Sequence, residues 1–374
     1  MSADNSTLRR NPGRRNSLWN EGVRAVAALL IFGWVTTPAQ ESLHTVTYPT
    51  RTMGTYANVT LVVADSAAAA PTASAAHGTF QRVDSLMSNW TTTSEVARIN
   101  RMAGVAGGAP PPALTVEPEV ARVLEAALRV GLESGGAFDV TVEPLVRAWG
   151  FLGGQPHVPG EAEAAQAFAL VGQRHLDFTP ASRQLRFRKG GVHVDLGGIA
   201  KGYAVDAVAD TLRARGVENA LVDLSGNMWA IGHPPGANVW RIGVRDPRDR
   251  VPYFARLHLR DRAVATSGKY EQFVTAAGRT YGHILDPRTG RPAEGLIAVT
   301  VVAASATTAD AWGTALFVLG PREARRVAKE RDDIAVLLVQ PGESEADSVW
   351  VESDLRDFFH PETGATARFH LEFF

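Results

Sequence analysis

The segment His193-Val-Asp195-Leu-Gly197-Gly198-Ile-Ala-Lys201-Gly202-Tyr203 constrains the fold more than any other part of the chain. The pattern predicts a strand, a glycine pair and then a helix. Because glycines carry no side chains, this backbone can approach a ligand closely, and the free N–H groups at the start of a helix suit a phosphate. The spacing is neither a dinucleotide-binding fingerprint nor a Walker loop. An anion site that includes Lys201 and a tight turn with a solvated lysine therefore both stay open.

Short strands and helices surround this segment, and no internal repeat is present. Alternating apolar and β-branched residues predict strands within 43–63, on both sides of Met53-Gly54-Thr55, and at Leu185–Phe187, His193–Leu196, Ala220–Leu224, Trp240–Val244, Ala255–Leu259 and Ala298–Val302. Helical periodicity predicts helices from Pro71 to Met87, Glu117 to Leu132, Tyr203 to Arg215 and Thr308 to Leu319. We expect one large α+β domain over residues 43–374.

The composition excludes several functional classes. The 374 residues include 38 basic and 39 acidic side chains, so a net charge of -1 provides no general attraction to nucleic acid. The chain has no cysteine, which excludes disulfides, thiolate metal sites, iron–sulfur clusters, cysteine nucleophiles and thioether-linked lipid anchors. Any metal ion must bind to oxygen or imidazole.

The amino terminus has the layout of an export leader. Four arginines (Arg9, Arg10, Arg14 and Arg15) precede an apolar run over 25–35 and small residues up to Ala39. We expect residues 1–39 to be a cleaved signal or a short anchor, by either the Sec or the twin-arginine route, and the protein to face the periplasm. The alternative is a basic tail before a buried helix in a cytoplasmic protein.

A second candidate site lies in the predicted helix after residue 308. Asp310 and Thr314 are one helical turn apart, so a carboxylate and a hydroxyl share one face. Two such oxygens suit a hard cation such as Mg²⁺. Alternatively, Asp310 caps the helix and Thr314 bonds back to a carbonyl.

Two further segments are candidates. His283 precedes the turn Asp286-Pro-Arg-Thr-Gly290 and suits a general base or a ligand-binding donor, although a structural histidine fits equally well. The glycine-rich stretch from Gly135 to Val142 is either a loop that meets an aromatic ligand or simply the end of a helix.

Taken in order, these motifs closely resemble those of the FAD:protein FMN transferases, the ApbE-like flavin transferases. The resemblance extends over roughly residues 45–340. Its motifs are Met53-Gly-Thr55, Met87-Ser-Asn-Trp90 with Ser94-Glu95 and Ile99-Asn100, Gly136-Ala-Phe-Asp-Val140, Asp195 to Tyr203, Ser267-Gly268, His283 to Gly290, and Ala309-Asp310 with Thr314. It implies a T-fold-like α+β domain of short strands and packed helices.

The resemblance also implies a set of site residues. Those expected to contact FAD are Met53, Trp90, Ala137, Phe138, Asp139, Asp195, Lys201 and Ile284. Mg²⁺ would be held by the backbone carbonyl of Gly198 and by Asp310 and Thr314. Two departures from the family pattern stand out: Trp90 replaces a usual tyrosine, and Gly313 replaces an additional aspartate that some members place near the metal.

The implied reaction is Mg²⁺-dependent transfer of FMN from FAD to a threonine hydroxyl of an acceptor protein, with release of AMP. Deprotonation of that hydroxyl falls to His283 or, as a second choice, to Asp286. A FAD pyrophosphatase and a non-catalytic periplasmic flavin-binding protein are the alternatives.

The expected partner is a flavoprotein with a Ser/Thr-Gly-Ala-Thr-like motif. Nucleic acid is not an expected partner, and we expect a membrane only through an uncleaved leader or a membrane-bound acceptor. The tail Pro361-Glu-Thr-Gly-Ala-Thr366 resembles the acceptor motif, so Thr366 is either a site of self-modification or part of a chance turn.

Overall fold

The computed structural model describes residues 42–104, 107–269, 273–276, 278–342, 346–365 and 368–374. The predicted leader and Thr366 lie outside these ranges. The helices are α1 (Ser66–Met87), α2 (Glu95–Met102), α3 (Pro118–Glu133), α4 (Glu143–Ala148), α5 (Glu161–Phe168), α6 (Ala200–Ala214) and α7 (Ala306–Lys329). Single 3₁₀ turns lie at Gln173–His175, Pro180–Ser182 and Ser353–Leu355.

The strands are mostly short. They are β1 (His44–Thr52), β2 (Thr55–Val63), β3 (Leu114–Thr115), β4 (Leu176–Thr179), β5 (Gln184–Phe187), β6 (Ala220–Leu224), β7 (Asn227–Ile231), β8 (Trp240–Arg245), β9 (Tyr253–Leu259), β10 (Arg262–Gly268), β11 (Phe273–Ala276), β12 (Arg279–Gly282), β13 (Leu285–Asp286), β14 (Arg291–Pro292), β15 (Ala298–Ala303), β16 (Ile334–Gln340), β17 (Asp347–Val351), β18 (Phe359–Pro361) and β19 (Phe369–Phe373).

A nine-stranded sheet forms the centre of the fold. Its strand order is β1-β2-β6-β7-β10-β15-β16-β17-β19, and all neighbours are antiparallel except β17 and β19. Helices α1, α6 and α7 pack on one face, and the three-stranded sheet β18-β9-β8 packs on the other. Because the helices are grouped on one side of a largely antiparallel sheet, the predicted α+β class is confirmed.

The middle of the large sheet is buried on both faces. Side chains alternate along β10, so Ala263 and Ala265 join the core under the helices and Val264 joins the core under the small sheet. All six residues of β15 are buried, as expected for a continuous apolar strand between two layers. Burial on both sides fixes the position of β10 and β15, and α7 packs on one face of these two strands.

The structure confirms most predicted elements and corrects one of them. The predicted strands at 185–187, 220–224, 240–244, 255–259 and 298–302 are present, but residues 193–196 form no strand. Here the polar groups of the Val194 backbone pair with a side chain: its N–H donates to Asn100 Oδ1 at 2.7 Å, and its carbonyl accepts from Asn100 Nδ2 at 2.9 Å.

The helix boundaries differ from the predicted ones for local reasons. Asp65 caps α1 by accepting from the N–H of Ala67 at 2.8 Å, so Pro71 lies inside the helix instead of opening it. Helix α7 continues past its predicted end at Leu319, but its backbone is non-helical at Gly320. In the part of the chain that the structure describes, no helix is both long and apolar enough to cross a bilayer.

One buried carboxyl group should make the stability of the domain depend on pH. Glu352 is 6% exposed, and its Oε2 accepts a hydrogen bond from the N–H of Val336 at 2.9 Å. Burial raises the pKa of Glu352 from 4.5 to about 7, and the negative charge of Asp354 adds to this rise. Between these two pH values the folded chain holds a proton that the unfolded chain has released, so this group lowers the free energy of unfolding as the pH rises.

We therefore predict that Glu352→Gln stabilises the domain at pH 8 by about 1–3 kcal/mol and changes its stability little at pH 4.5. Glutamine keeps an oxygen for the Val336 N–H and carries no charge. Urea unfolding at the two pH values measures the effect, with Glu372→Gln on exposed β19 as a control. Equal stability changes at both pH values would show that Glu352 does not titrate as described.

Candidate functional site

The predicted site residues come together in one cavity of about 800 Å³. Such a volume is typical of a small-molecule site. The predicted residues in its lining are Met53, Trp90, Ala137, Phe138, Asp139, Asp195, Gly198, Lys201, His283, Ile284, Asp310 and Thr314. Asp286, the second choice for a base, is not in the lining.

The glycine turn before α6 forms one wall of the cavity. Asp195 Oδ1 accepts from the N–H of Gly197 at 2.6 Å, and the Asp195 N–H donates to the Val140 carbonyl at 2.7 Å. Burial raises the pKa of Asp195, and the nearby Glu143 carboxylate raises it further. A Cβ at Gly198 would lie only 3.0 Å from the Phe138 ring and 3.2 Å from Thr314 Oγ1, so the turn packs directly against α7.

Helices α6 and α7 approach each other closely at Gly202. A Cβ there would lie 2.2 Å from the carbonyl oxygen of Ala306 and 2.7 Å from Asp310 Cβ, which no side chain can tolerate. The N–H of Gly202 donates to Asp310 Oδ2 at 2.8 Å. The start of α6 therefore sets the position of the Asp310 carboxylate.

Asp206 on α6 caps the amino terminus of α7. Its carboxylate oxygens accept five hydrogen bonds at 2.6–3.0 Å, from Trp229 Nε1, Ser305 Oγ, the N–H groups of Ala306 and Thr307, and Thr307 Oγ1. A carboxylate at a helix amino terminus also interacts favourably with the helix dipole. Asp310 lies inside α7 and does not cap it, contrary to the alternative considered from the sequence. Asp206 and Ser305 cap this helix instead.

The residues present fit a hard divalent cation. Asp310 is 4% exposed, and Thr314 follows it by one turn of α7 on the same wall of the cavity. The Gly198 backbone packs beside Thr314, and all three residues line the cavity. Carboxylate, hydroxyl and backbone carbonyl oxygens are ligands that Mg²⁺ prefers. Among the described residues, no three His, Asp or Glu side chains cluster to form a metal site.

The glycine at 313 has a steric explanation. A Cβ at this position would lie 3.1 Å from Ser267 Oγ on β10, so an aspartate would require Ser267 to shift. Both Ser267 and Thr314 line the cavity. This part of the cavity therefore has a glycine packed against a serine hydroxyl, with no additional carboxylate at position 313.

The loop after α3 contributes Ala137, Phe138 and Asp139. Phe138 is held by its N–H, which donates to Ser134 Oγ at 3.1 Å. Both carboxylate oxygens of Asp139 accept hydrogen bonds from the protein. Oδ1 accepts from the N–H and hydroxyl of Thr141, and Oδ2 accepts from the N–H of Gln173. A ligand would therefore contact mainly the backbone and the ring of this segment.

Two side chains at the cavity suit an aromatic ligand. Trp90 is 64% exposed although it belongs to the lining, so its indole face is available for stacking. Met53 lies in the tight turn between β1 and β2 and has a positive φ of 49°. Its flexible thioether suits contact with a flat ring.

The two candidate bases differ in their surroundings. The His283 ring lines the cavity and makes an edge contact with Phe151, with ring centroids 6.4 Å apart. The Asp286 carboxylate instead accepts three hydrogen bonds from Arg288, at 2.8–2.9 Å. An arginine-paired carboxylate outside the lining is a poor base, so the geometry favours His283.

Sequence reasoning missed two residues that hold the site together. Asp206 lies just after the glycine segment, and its position as the fourth residue of a predicted helix gives no sign that it caps another helix. Asn100 belongs to a motif quoted for the resemblance, but only the fold reveals that its amide pairs with the Val194 backbone. A side chain that replaces a strand neighbour leaves no periodic signal.

Comparison with known proteins identifies the relatives of this chain. The sequence profile of the ApbE family matches residues 53–338. A FAD:protein FMN transferase of Klebsiella pneumoniae is 31% identical over 329 residues, which are 86% of this chain and 92% of that protein. The solved structure of the flavin transferase ApbE from Vibrio cholerae has a TM-score of 0.74 at 31% identity and covers 84% of this chain and 99% of its own. The apo flavinyl transferase ApbE of Pseudomonas stutzeri has a TM-score of 0.75 at 31% identity, with 86% and 98% covered.

We predict that Asp206→Ala lowers the free energy of unfolding by about 2–4 kcal/mol, because it removes a helix cap and leaves several partly buried donors without this acceptor. Urea unfolding measures the change. Asp210→Ala on the same helix is the control: this side chain is 77% exposed, and we expect a change within about 0.5 kcal/mol. Equal stability of the two variants would contradict the assigned role of Asp206.

Proposed function

Because the chain belongs to the ApbE family, we propose that it is a FAD:protein FMN transferase that moves the FMN part of FAD onto a threonine hydroxyl of an acceptor protein and releases AMP. The observation that carries the proposal is the shared cavity. It brings an exposed indole, a lysine, a histidine, a buried carboxylate and a hydroxyl one helical turn from it to one space of about 800 Å³. The indole can stack on a flavin, the lysine can bind a diphosphate, and the histidine can accept a proton.

The substrate FAD would lie with its flavin ring against Trp90 and Met53 and its diphosphate near the start of α6. Lys201 lines the cavity in the first turn of that helix, where its positive charge and the helix dipole both favour an anion. The first turn of α6 contains no acidic residue to oppose this effect.

The buried carboxylate of Asp310, the Thr314 hydroxyl and the Gly198 carbonyl would hold a divalent cation. When bound, the cation supplies positive charge that offsets the diphosphate and reduces its repulsion of an oxygen nucleophile. The helix-to-helix hydrogen bond from Gly202 keeps the Asp310 carboxylate oriented for this role.

The chemical step is an in-line displacement at the FMN-side phosphorus. The threonine oxygen forms a new bond to this phosphorus, and the bond from phosphorus to the oxygen that bridges to AMP breaks, leaving its electron pair on AMP. His283 accepts the hydroxyl proton, since it is the histidine in the lining. Lys201 stabilises the charge on the departing phosphate.

The acceptor and the compartment belong to the same proposal. We propose an acceptor flavoprotein with a Ser/Thr-Gly-Ala-Thr-like segment, placed in or facing the periplasm. The order of basic, apolar and small residues in 1–39 supports export. Modification of the chain's own Thr366 remains a secondary hypothesis that rests on its sequence alone.

The first test is incubation of the purified chain with FAD and Mg²⁺, with and without a protein that carries the acceptor motif. Mass spectrometry should show an FMN adduct on the threonine of the acceptor and one AMP released for each adduct. Replacing that threonine with alanine is the control. Free FMN alone would indicate a FAD pyrophosphatase, and unchanged FAD would indicate a flavin-binding protein.

The second test addresses the cation. We predict that Asp310→Ala lowers the transfer rate by roughly 100-fold or more and abolishes Mn²⁺ binding as measured by electron paramagnetic resonance. Asp332→Ala, at an exposed position just after α7, should retain both properties. Full Mn²⁺ binding by Asp310→Ala would mean that the cation lies elsewhere.

A further inference from the structure

The turn between β1 and β2 has an unusual residue in an unusual conformation. Thr52 pairs with Thr55, and the two residues between them have positive φ angles of 49° at Met53 and 72° at Gly54. Both angles are typical of a type I′ hairpin turn, whose first position favours asparagine, aspartate or glycine. A methionine with a left-handed backbone requires support from the surrounding structure.

Asp84 supplies this support from a distant part of the sequence. Its Oδ2 accepts a hydrogen bond from the N–H of Met53 at 2.9 Å. Asp84 lies in the last turn of α1, where the helix dipole disfavours a carboxylate. An aspartate at this position does not stabilise α1. Its hydrogen bond to the turn therefore explains why an aspartate is present there.

A second turn repeats the arrangement beside the first. Between β6 and β7, Ser225 and Gly226 have φ angles of 52° and 90°, and Asp223 Oδ1 accepts from the N–H of Gly226 at 2.9 Å. The two hairpins are neighbours because β2 pairs with β6. All four turn residues line the cavity, so two residues with a left-handed backbone that is unfavourable for a non-glycine side chain, Met53 and Ser225, lie at the wall of the site.

We infer that Asp84 is a positioning residue for the flavin substrate, which it serves by holding Met53 in the left-handed conformation that directs this turn at the cavity. The inference deepens the proposed function and rests on it. Helix α1 ends at Met87 and leads directly to Trp90, so one helix end sets the positions of both side chains expected at the flavin ring.

The test compares Asp84→Ala with Asp84→Asn in FAD titrations, followed by flavin fluorescence, and in steady-state transfer assays. Loss of a hydrogen bond to a charged acceptor should raise the FAD Kd and KM of Asp84→Ala about tenfold, with kcat within about twofold of wild type. Asparagine retains an acceptor oxygen, so Asp84→Asn should return both constants to within about threefold of wild type.

Asp65→Ala is the matched control for a general loss of stability. Asp65 lies just before the start of α1 and caps that helix by accepting from the N–H of Ala67, at an exposed site. We expect this variant to melt at a lower temperature and to keep the wild-type KM for FAD. If Asp84 were merely structural, Asp84→Ala would behave like Asp65→Ala, and this outcome would overturn the inference.

A double variant separates positioning from direct contact with FAD, because Asp84 itself also borders the cavity. Glycine adopts positive φ without strain, so in a Met53→Gly background the further change Asp84→Ala should raise the FAD Kd less than twofold. A full tenfold effect in that background would overturn the inference, since Asp84 would then act without Met53.

The same measurements keep this inference distinct from the proposed function. Wild-type protein that binds FAD and modifies the acceptor, together with an unchanged Asp84→Ala variant, would contradict the inference alone. Wild-type protein that binds FAD with the predicted Asp84 dependence but forms no adduct would contradict the transferase proposal while supporting the role of Asp84 in binding. Wild-type protein that does not bind FAD would overturn both.

Discussion

The contact between α6 and α7 is the constraint on which the site depends. At Gly202 the two helices are so close that only glycine fits, and the N–H of this residue holds the Asp310 carboxylate at 2.8 Å. Four residues further along α6, Asp206 caps the start of α7. Because the same helix also begins at the glycine turn, one packed pair of helices places Gly198, Lys201, Asp310 and Thr314 around the same cavity, where we propose that the diphosphate and a cation bind. The core of the large sheet fixes this pair, since α7 packs on β10 and β15.

Another part of the cavity lining is built differently, from two tight turns and the segment after a helix end. Met53 and Ser225 have positive φ, and a side-chain carboxylate hydrogen-bonds to the backbone of each turn: Asp84 accepts from the N–H of Met53, and Asp223 accepts from the N–H of Gly226. The cavity lining thus combines charged and polar groups from two packed helices with Met53 and Trp90, which suit contact with an aromatic ring. This combination suits the proposed reaction, in which the flavin is held in place while the diphosphate is cleaved.

The sequence predicts the parts of this structure that have local causes. Buried strands such as β6 and β15 have apolar runs, and the glycines at 197 and 198 indicate the turn before α6. It does not predict the segment at 193–196, because Asn100 replaces a strand neighbour there and this pairing joins residues 94 positions apart. For the same reason the roles of Asp84 and Asp206 emerge only from the fold. The site residues are predicted from the order of several motifs, since each motif alone also fits an ordinary turn or cap.

The central claim is that FAD binds in this cavity with its diphosphate between the glycine turn and α7. A crystal structure of the chain with FAD and Mn²⁺, with anomalous data at the manganese edge, tests it most directly. We expect one strong anomalous peak in contact with Asp310, Thr314 and the Gly198 carbonyl, beside the diphosphate, and the flavin ring against Trp90. A manganese peak away from α7, or a diphosphate far from Gly198, would contradict the claim.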